Sequence, residues 1–168
     1  MNDQQRDAVD EIRAGWAVLR PELDTTPVDI AGRLIRASAL IVRATEERLA
    51  AFELTRGEFD VLTTLRRAGE PQSPTVLRTI GLASAPAITK RVQALERRGL
   101  VARSANPADG RGALIALTTA GADLIDRAFP EVLAVERALL AAVEPDAQES
   151  AAHSLRAVLA SVEAAATP

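Results

Sequence analysis

The sequence contains no cysteine and no tyrosine, and its only histidine is His153. Without cysteine there is no disulfide, no thiolate metal site and no cysteine nucleophile. A lone histidine with no clustered carboxylates around it reads as an ordinary surface or interface residue. Aromatic residues make up only 2% of the chain, and Trp16 is its one tryptophan. No apolar run approaches the length of a membrane-spanning helix, and the first residues are polar and acidic rather than signal-like. A soluble, cytoplasmic protein with no membrane partner is therefore expected. There is also no glycine-rich phosphate loop and no metal-ligand spacing. An enzyme has nothing here to work with, so no catalytic residue, metal or cofactor is expected.

What the chain has in quantity is alanine, leucine and arginine. Hydrophobic residues reach 48%, and alanine and leucine are strong helix formers, so a mostly helical protein follows. At 168 residues the chain can bury one sizeable core. The net charge of −3 argues at first against nucleic acid, but its distribution argues the other way. Residues 56–112 hold ten Lys+Arg against five Asp+Glu, whereas the rest of the chain holds ten against eighteen. A basic centre between acidic ends is the footprint of a local polyanion site. Lys90 is the single lysine; the other nineteen cations are arginines.

Taken in order, residues 4–20 read as a helix that Pro21 stops. Ala8, Ile12 and Trp16, or Val9, Trp16 and Leu19, share a face. Trp16 is either a core anchor or a stacking plate for a planar ligand. Thr26-Pro27-Val28-Asp29 starts a helix over 27–53, roughly 40 Å long. Its stripe of Ile30, Leu34, Ala37, Ile41, Ala44 and Leu49 is longer than a small domain needs, so part of it is expected to lie between subunits. Thr55-Arg-Gly-Glu58 is a capping box for a helix over 56–68, with Phe59, Leu62 and Leu65 inward. Asp60 in its first turn complements the helix dipole at the least.

Ser73-Pro74-Thr75 opens a short helix bearing Val76, Leu77 and Ile80. Gly81-Leu-Ala leads from it into a second helix over 84–99. Ser84 caps that helix, Pro86 fits its first turn and Gly99 closes it. Ile88, Val92 and Leu95 form its apolar stripe, and Pro86, Lys90, Gln93, Ala94 and Arg97 fall on the opposite side. By itself this is either a solvated surface helix or a helix built to enter a DNA major groove. A short helix, a glycine turn and a basic helix together make a helix-turn-helix. Leu100–Ser104 and Ala113–Leu117 read as two short strands around the turn Asn106-Pro-Ala-Asp-Gly110, that is, a wing with Asp109 and Arg111 near its tip. Thr118 or Thr119 then caps a helix to about Val143, with Leu124, Ile125, Phe129, Leu133, Leu139 and Leu140 inward and Pro130 inside it. Pro145 begins a last helix. The candidate DNA contacts are Ser73, Thr75, Ser84, Pro86, Thr89, Lys90, Gln93, Arg97 and Arg111. A helical interaction protein without DNA is the competing reading, and the wing and the charge partition weigh against it.

This order of elements, with Ile88-Thr-Lys-Arg-Val-Gln-Ala-Leu-Glu-Arg-Arg-Gly-Leu-Val-Ala-Arg103, Asp109-Gly-Arg111 and Leu117-Thr-Thr-Ala-Gly121, resembles the multiple-antibiotic-resistance regulator (MarR) family of winged-helix regulators. The resemblance implies one domain over 1–168. It is mostly α with a small β-wing: an extra N-terminal helix at 4–20, dimerisation helices at 27–53 and 119–165, and a winged helix-turn-helix lobe at 55–117. It also implies a homodimer, a repressor role, double-stranded DNA as partner and half-sites about one helical turn apart. Lys90 and Gly110 depart from the family's usual residues, which bears on the operator sequence.

A narrower resemblance is to the family's urate-responsive branch. It rests on Trp16 in the extra helix, Asp60, Arg91 on the flank of the second helix of the motif, and Arg103 in the wing. It implies a small anionic aromatic effector such as urate held by these four residues. Asp60 is expected to pair with Arg103 in the empty state, and Arg91 to carry the signal to DNA. An aromatic carboxylate is the alternative effector.

Overall fold

The computed structural model describes residues 6–80, 83–107 and 109–166, with the side chains of residues 79, 80 and 109–111 outside that description. The chain divides into two compact units, one up to Glu47 and one from Arg48 onward.

In the first unit, helix α1 (Ala8–Leu19) begins at a capping box. The Asp7 carboxylate accepts from the Val9 and Asp10 amides, and Asp10 answers on the Asp7 amide. Helix α2 (Val28–Leu49) follows Pro27 and runs past the boundary between the units. Val9 is buried beside Gly32, whose missing side chain lets α1 come close: a Cβ there would lie 3.1 Å from a Val9 methyl. Arg33 on α2 bridges three carboxylates, Asp7 at 2.8 Å, Asp10 at 2.8 Å and Asp29 at 3.0 Å. The Asp10 carboxyl sits below its ordinary range, first through the Asp7 amide that donates to it and then through Arg33. Ile12, Trp16, Leu19, Ile30, Ile35 and Leu40 are all exposed.

The second unit opens with a 3-10 turn, Ala50–Phe52, ended by Glu53 in the left-handed region at φ +54°. Helix α3 (Arg56–Ala68) has the expected capping box between Thr55 and Glu58 and stops at Gly69 with φ +70°. Helices α4 (Pro74–Ile80) and α5 (Ala85–Arg97) come next. An antiparallel hairpin follows, β1 (Val101–Asn106) and β2 (Asp109–Leu117), paired from Val101 with Leu117 to Ala105 with Ala113. Helices α6 (Thr119–Leu139) and α7 (Pro145–Ala166) complete the chain. The core gathers Leu49, Phe59, Leu62, Leu65, Leu77, Ile88, Val92, Leu95, Ile115, Ile125 and Val132. Burying each such side chain is worth about 1.5–3 kcal/mol against leaving it in water.

Several expectations change. The helix expected at 4–20 is shorter, and the one expected to reach residue 53 ends at Leu49 in the 3-10 turn. The hairpin extends further toward its tip than the apolar pattern indicated, because alanine, serine and glycine carry little strand signal. Gln72 joins it through two backbone hydrogen bonds with Ile115, at 2.8 and 2.9 Å, which ties the start of α4 to the wing. On α4, Leu77 is buried and Val76 is exposed. On α6 the buried residues are Gly121, Ile125, Ala128 and Val132, whereas Phe129, Leu133 and Leu139, expected inward, are exposed. Leu140, also expected inward, is exposed just beyond the helix. The buried stripe recurs every three to four residues and includes a close approach at Gly121, where a Cβ would overlap the Leu100 carbonyl oxygen. Phe129 still stacks on Phe59, with ring centroids 6.2 Å apart.

Candidate nucleic-acid interface

Helix α5 has the two faces that the sequence calls for. Ile88, Val92 and Leu95 are at most 2% exposed, fixed against the core. The Ser84 hydroxyl accepts the Ala87 amide at 3.4 Å and starts the helix. Gly99 ends it with φ +68°, a conformation glycine adopts without steric cost. With the core side fixed, Ser84, Pro86, Thr89, Lys90, Gln93 and Arg97 stand exposed along the other side. Lys90 and Arg97 have no hydrogen-bond or ion-pair partner among the described residues, so both charges are open to an external anion. Thr89 is partly occupied, donating to the Ala85 carbonyl at 3.0 Å.

On α4, the Ser73 hydroxyl accepts the Val76 amide at 3.4 Å, and Thr75 is exposed in the first turn. Both helices of the motif therefore start at a serine cap. Arg111 belongs to β2, but its side chain lies outside the described residues. Sequence reasoning passes over Arg78, exposed on α4, and Arg98, which directly follows Arg97. Two adjacent arginines look like one basic patch until the helix separates them by about 100°.

The residues expected to sense an effector divide between the units. Trp16 is 46% exposed on α1 rather than a core filler. In the second unit, Asp60 pairs with Arg56 at 3.0 Å, not with Arg103. Arg56 lies one turn earlier on the same helix, which makes it the nearer partner. Arg103 instead approaches Glu96 on α5 at 4.0 Å, tying the wing strand to the helix before it. Arg91 is half-buried on the flank of α5, and its guanidinium occupies the space where Gly57 has no side chain. It has no carboxylate partner among the described residues. A recess of about 360 Å³ opens elsewhere in this unit, lined by Leu65, Arg66, Pro71, Leu117, Thr118 and Thr119 among others; Asp60, Arg91 and Arg103 do not line it.

A capped short helix, a second helix with a polar outer face and a hairpin tied to both form a winged helix-turn-helix. The model of the MarR family matches residues 52–112, the same segment. The HTH-type transcriptional regulator PecS of Dickeya dadantii is 36% identical over 157 residues, covering 92% of this chain and 92% of that protein.

The chain belongs to the MarR family.

Within that family, a single-site cysteine-to-serine mutant of Escherichia coli MarR in its structure with operator DNA is 28% identical, with a TM-score of 0.71 over 82% of this chain and 99% of that one. BpsR of Bordetella bronchiseptica, whose DNA binding is regulated by 6-hydroxynicotinic acid, shares the fold at 22% identity, with a TM-score of 0.70 over 77% of this chain and 98% of that one. The protein is thus a MarR-family, DNA-binding transcriptional regulator, and its relatives are regulators rather than enzymes. Among the described residues no helix is long and apolar enough to cross a membrane, and no cluster of metal-binding side chains occurs.

Proposed function

We propose that this regulator is a homodimeric repressor that holds a pseudo-palindromic operator and leaves it when a small anionic aromatic ligand, urate or a close analogue, is bound. The observation that carries the DNA half is the division of α5 into a buried stripe and an open polar side. Lys90 and Gln93, with Thr89, Pro86 and Ser84 nearer its start, read the major groove, and Arg97 further along contacts a backbone phosphate. Ser73 and Thr75 contact backbone phosphates, and Arg111 reaches the neighbouring minor groove. The ligand half draws on the exposed indole of Trp16, the Asp60 carboxylate, the unpaired Arg91 and the loosely held Arg103. A planar anion calls for an aromatic face and a guanidinium.

A mobility shift on the DNA upstream of the protein's own gene tests the first half. Salt-sensitive, sequence-preferring binding is expected, weakened in Lys90→Ala and in Arg111→Ala by about 1–3 kcal/mol for a base contact. Melting midpoints are expected to be unchanged in both. Binding with no salt dependence or no sequence preference refutes it. Thermal shift tests the second half. Urate is expected to raise the melting midpoint of the wild type, and Trp16→Phe and Arg103→Ala to lose most of that rise. Stabilisation by an aromatic carboxylate in place of urate moves the effector to that class, and a urate response unchanged in both variants refutes the assignment of these residues.

A further inference from the structure

Arg98 stands at the C-terminal cap of α5 and turns away from the open polar side of the helix. Its Nη1 donates to the Glu53 carbonyl at 2.7 Å and its Nη2 to the Phe52 carbonyl at 3.4 Å, with the Glu58 carboxylate 3.9 Å away. Those carbonyls close the 3-10 turn after α2, where helix ends leave acceptors without internal donors. A cation also suits the negative end of a helix. Glu53 is the only non-glycine residue with positive φ among the described residues, and Arg98 binds the carbonyl of that turned residue. The end of α5 is held from a second direction as well. The Thr118 hydroxyl donates to the Gly99 carbonyl at 2.7 Å, and the Thr118 amide to the Leu100 carbonyl at 3.1 Å. The C-terminal end of the helix is therefore fixed between the 52–53 turn and the start of α6.

We propose that Arg98 is a positioning residue for DNA recognition: through the Phe52 and Glu53 carbonyls it sets the angle at which α5 presents Lys90, Gln93 and Arg97, and it does not itself touch DNA. This rests on α5 being the reading helix. Arg97 and Arg98 are chemically identical neighbours with opposite assignments, one to phosphate and one to the protein's own backbone.

The test uses the full-length protein, a duplex enriched from a random library by the wild type, and a scrambled duplex. Both are titrated across a salt series, well below the lowest melting midpoint of the variants. Arg98→Gln is expected to lose at least tenfold in the ratio of specific to non-specific affinity, with the slope of log affinity against log salt unchanged. Arg98→Lys keeps the charge but not the two-pronged donor, so an intermediate, severalfold loss is expected. Glu53→Gly keeps the carbonyl and suits its backbone, so wild-type binding is expected. Arg97→Gln, by contrast, is expected to weaken both duplexes in parallel and to lower the slope by about 0.9. The proposal is overturned if Arg98→Gln behaves as Arg97→Gln does, or if its ratio is unchanged. Should Arg98→Gln not fold, Arg98→Lys decides: a wild-type ratio there means that charge alone matters, which also overturns it. Lys90→Ala and Gln93→Ala run alongside. If neither weakens binding, the assignment of α5 as reader falls; if both do and Arg98→Gln does not, only the positioning role falls.

Discussion

Two glycines carry different weights although each lies against a side of α5 or its continuation. Gly121 faces the Leu100 backbone carbonyl, which cannot move without shifting the chain between α5 and the wing. Gly57 faces only the guanidinium of Arg91, the far end of a flexible side chain. Replacing glycine by alanine inside a helix gains up to about 1 kcal/mol in propensity. Overpacking against a fixed group costs about 1–3 kcal/mol. Gly121→Ala is therefore expected to be net destabilising and to lower the urea midpoint. Gly57→Ala is expected to match or slightly exceed wild-type stability while displacing Arg91. Equal stability of the two variants in urea melts would contradict this reading. The same residue scale limits what the sequence tells. The spacing from Arg56 to Asp60 is a legible helix pair, yet the family resemblance points Asp60 to Arg103. Only the folded positions show that the partner one turn away is taken first.

Among the elements, the caps were legible and the rotations were not. The Asp7, Thr55, Ser84 and Thr118 starts follow from side chains that satisfy the first free amides of a helix, a local matter. On α6 two apolar stripes compete, and the one that turns inward contains a close approach at Gly121 to the Leu100 carbonyl, a non-local contact. The pairing of Gln72 with Ile115 is equally non-local. Helix α1 shows how much of an element's attachment is ionic. Its contacts with α2 include Val9 beside Gly32, Arg33 bridged to Asp7 and Asp10, and Arg13 paired with Asp29. The folded-state pKa of Asp10 is lowered from 3.8, so the stabilisation it contributes is complete above about pH 4 and is lost as pH falls through the folded value. Hydrogen exchange is expected to show α1 losing protection below pH 4 before α3 and α5 do, and Arg33→Ala to show the same ordering at neutral pH. Simultaneous loss in all three helices would show that α1 is not separately held.

At the scale of the whole molecule, an exposed apolar surface runs along the last two helices. Helix α7 has 22 residues and none is buried, while Leu155, Leu159 and Val162 repeat along one side of it and Leu133, Leu139 and Val143 are exposed before it. A helix of that length and composition gains little by itself in water. A second copy of the chain is the occupant proposed for this surface, in keeping with the homodimer above. Leu159→Glu is expected to shift sedimentation to the monomer and to reduce operator affinity far more than Lys90→Ala does, because both half-sites are then engaged independently. A dimer that survives Leu159→Glu and Leu155→Glu together would move the interface elsewhere. The molecule also holds only one lysine, Lys90, exposed halfway along α5. Every other cationic side chain is a guanidinium, inert toward acyl donors under mild conditions. Acylation of side-chain amines, by reagent or by enzyme, therefore has a single address on this protein. It would remove one positive charge from the helix face proposed to read DNA and leave every other charge of the molecule as it was.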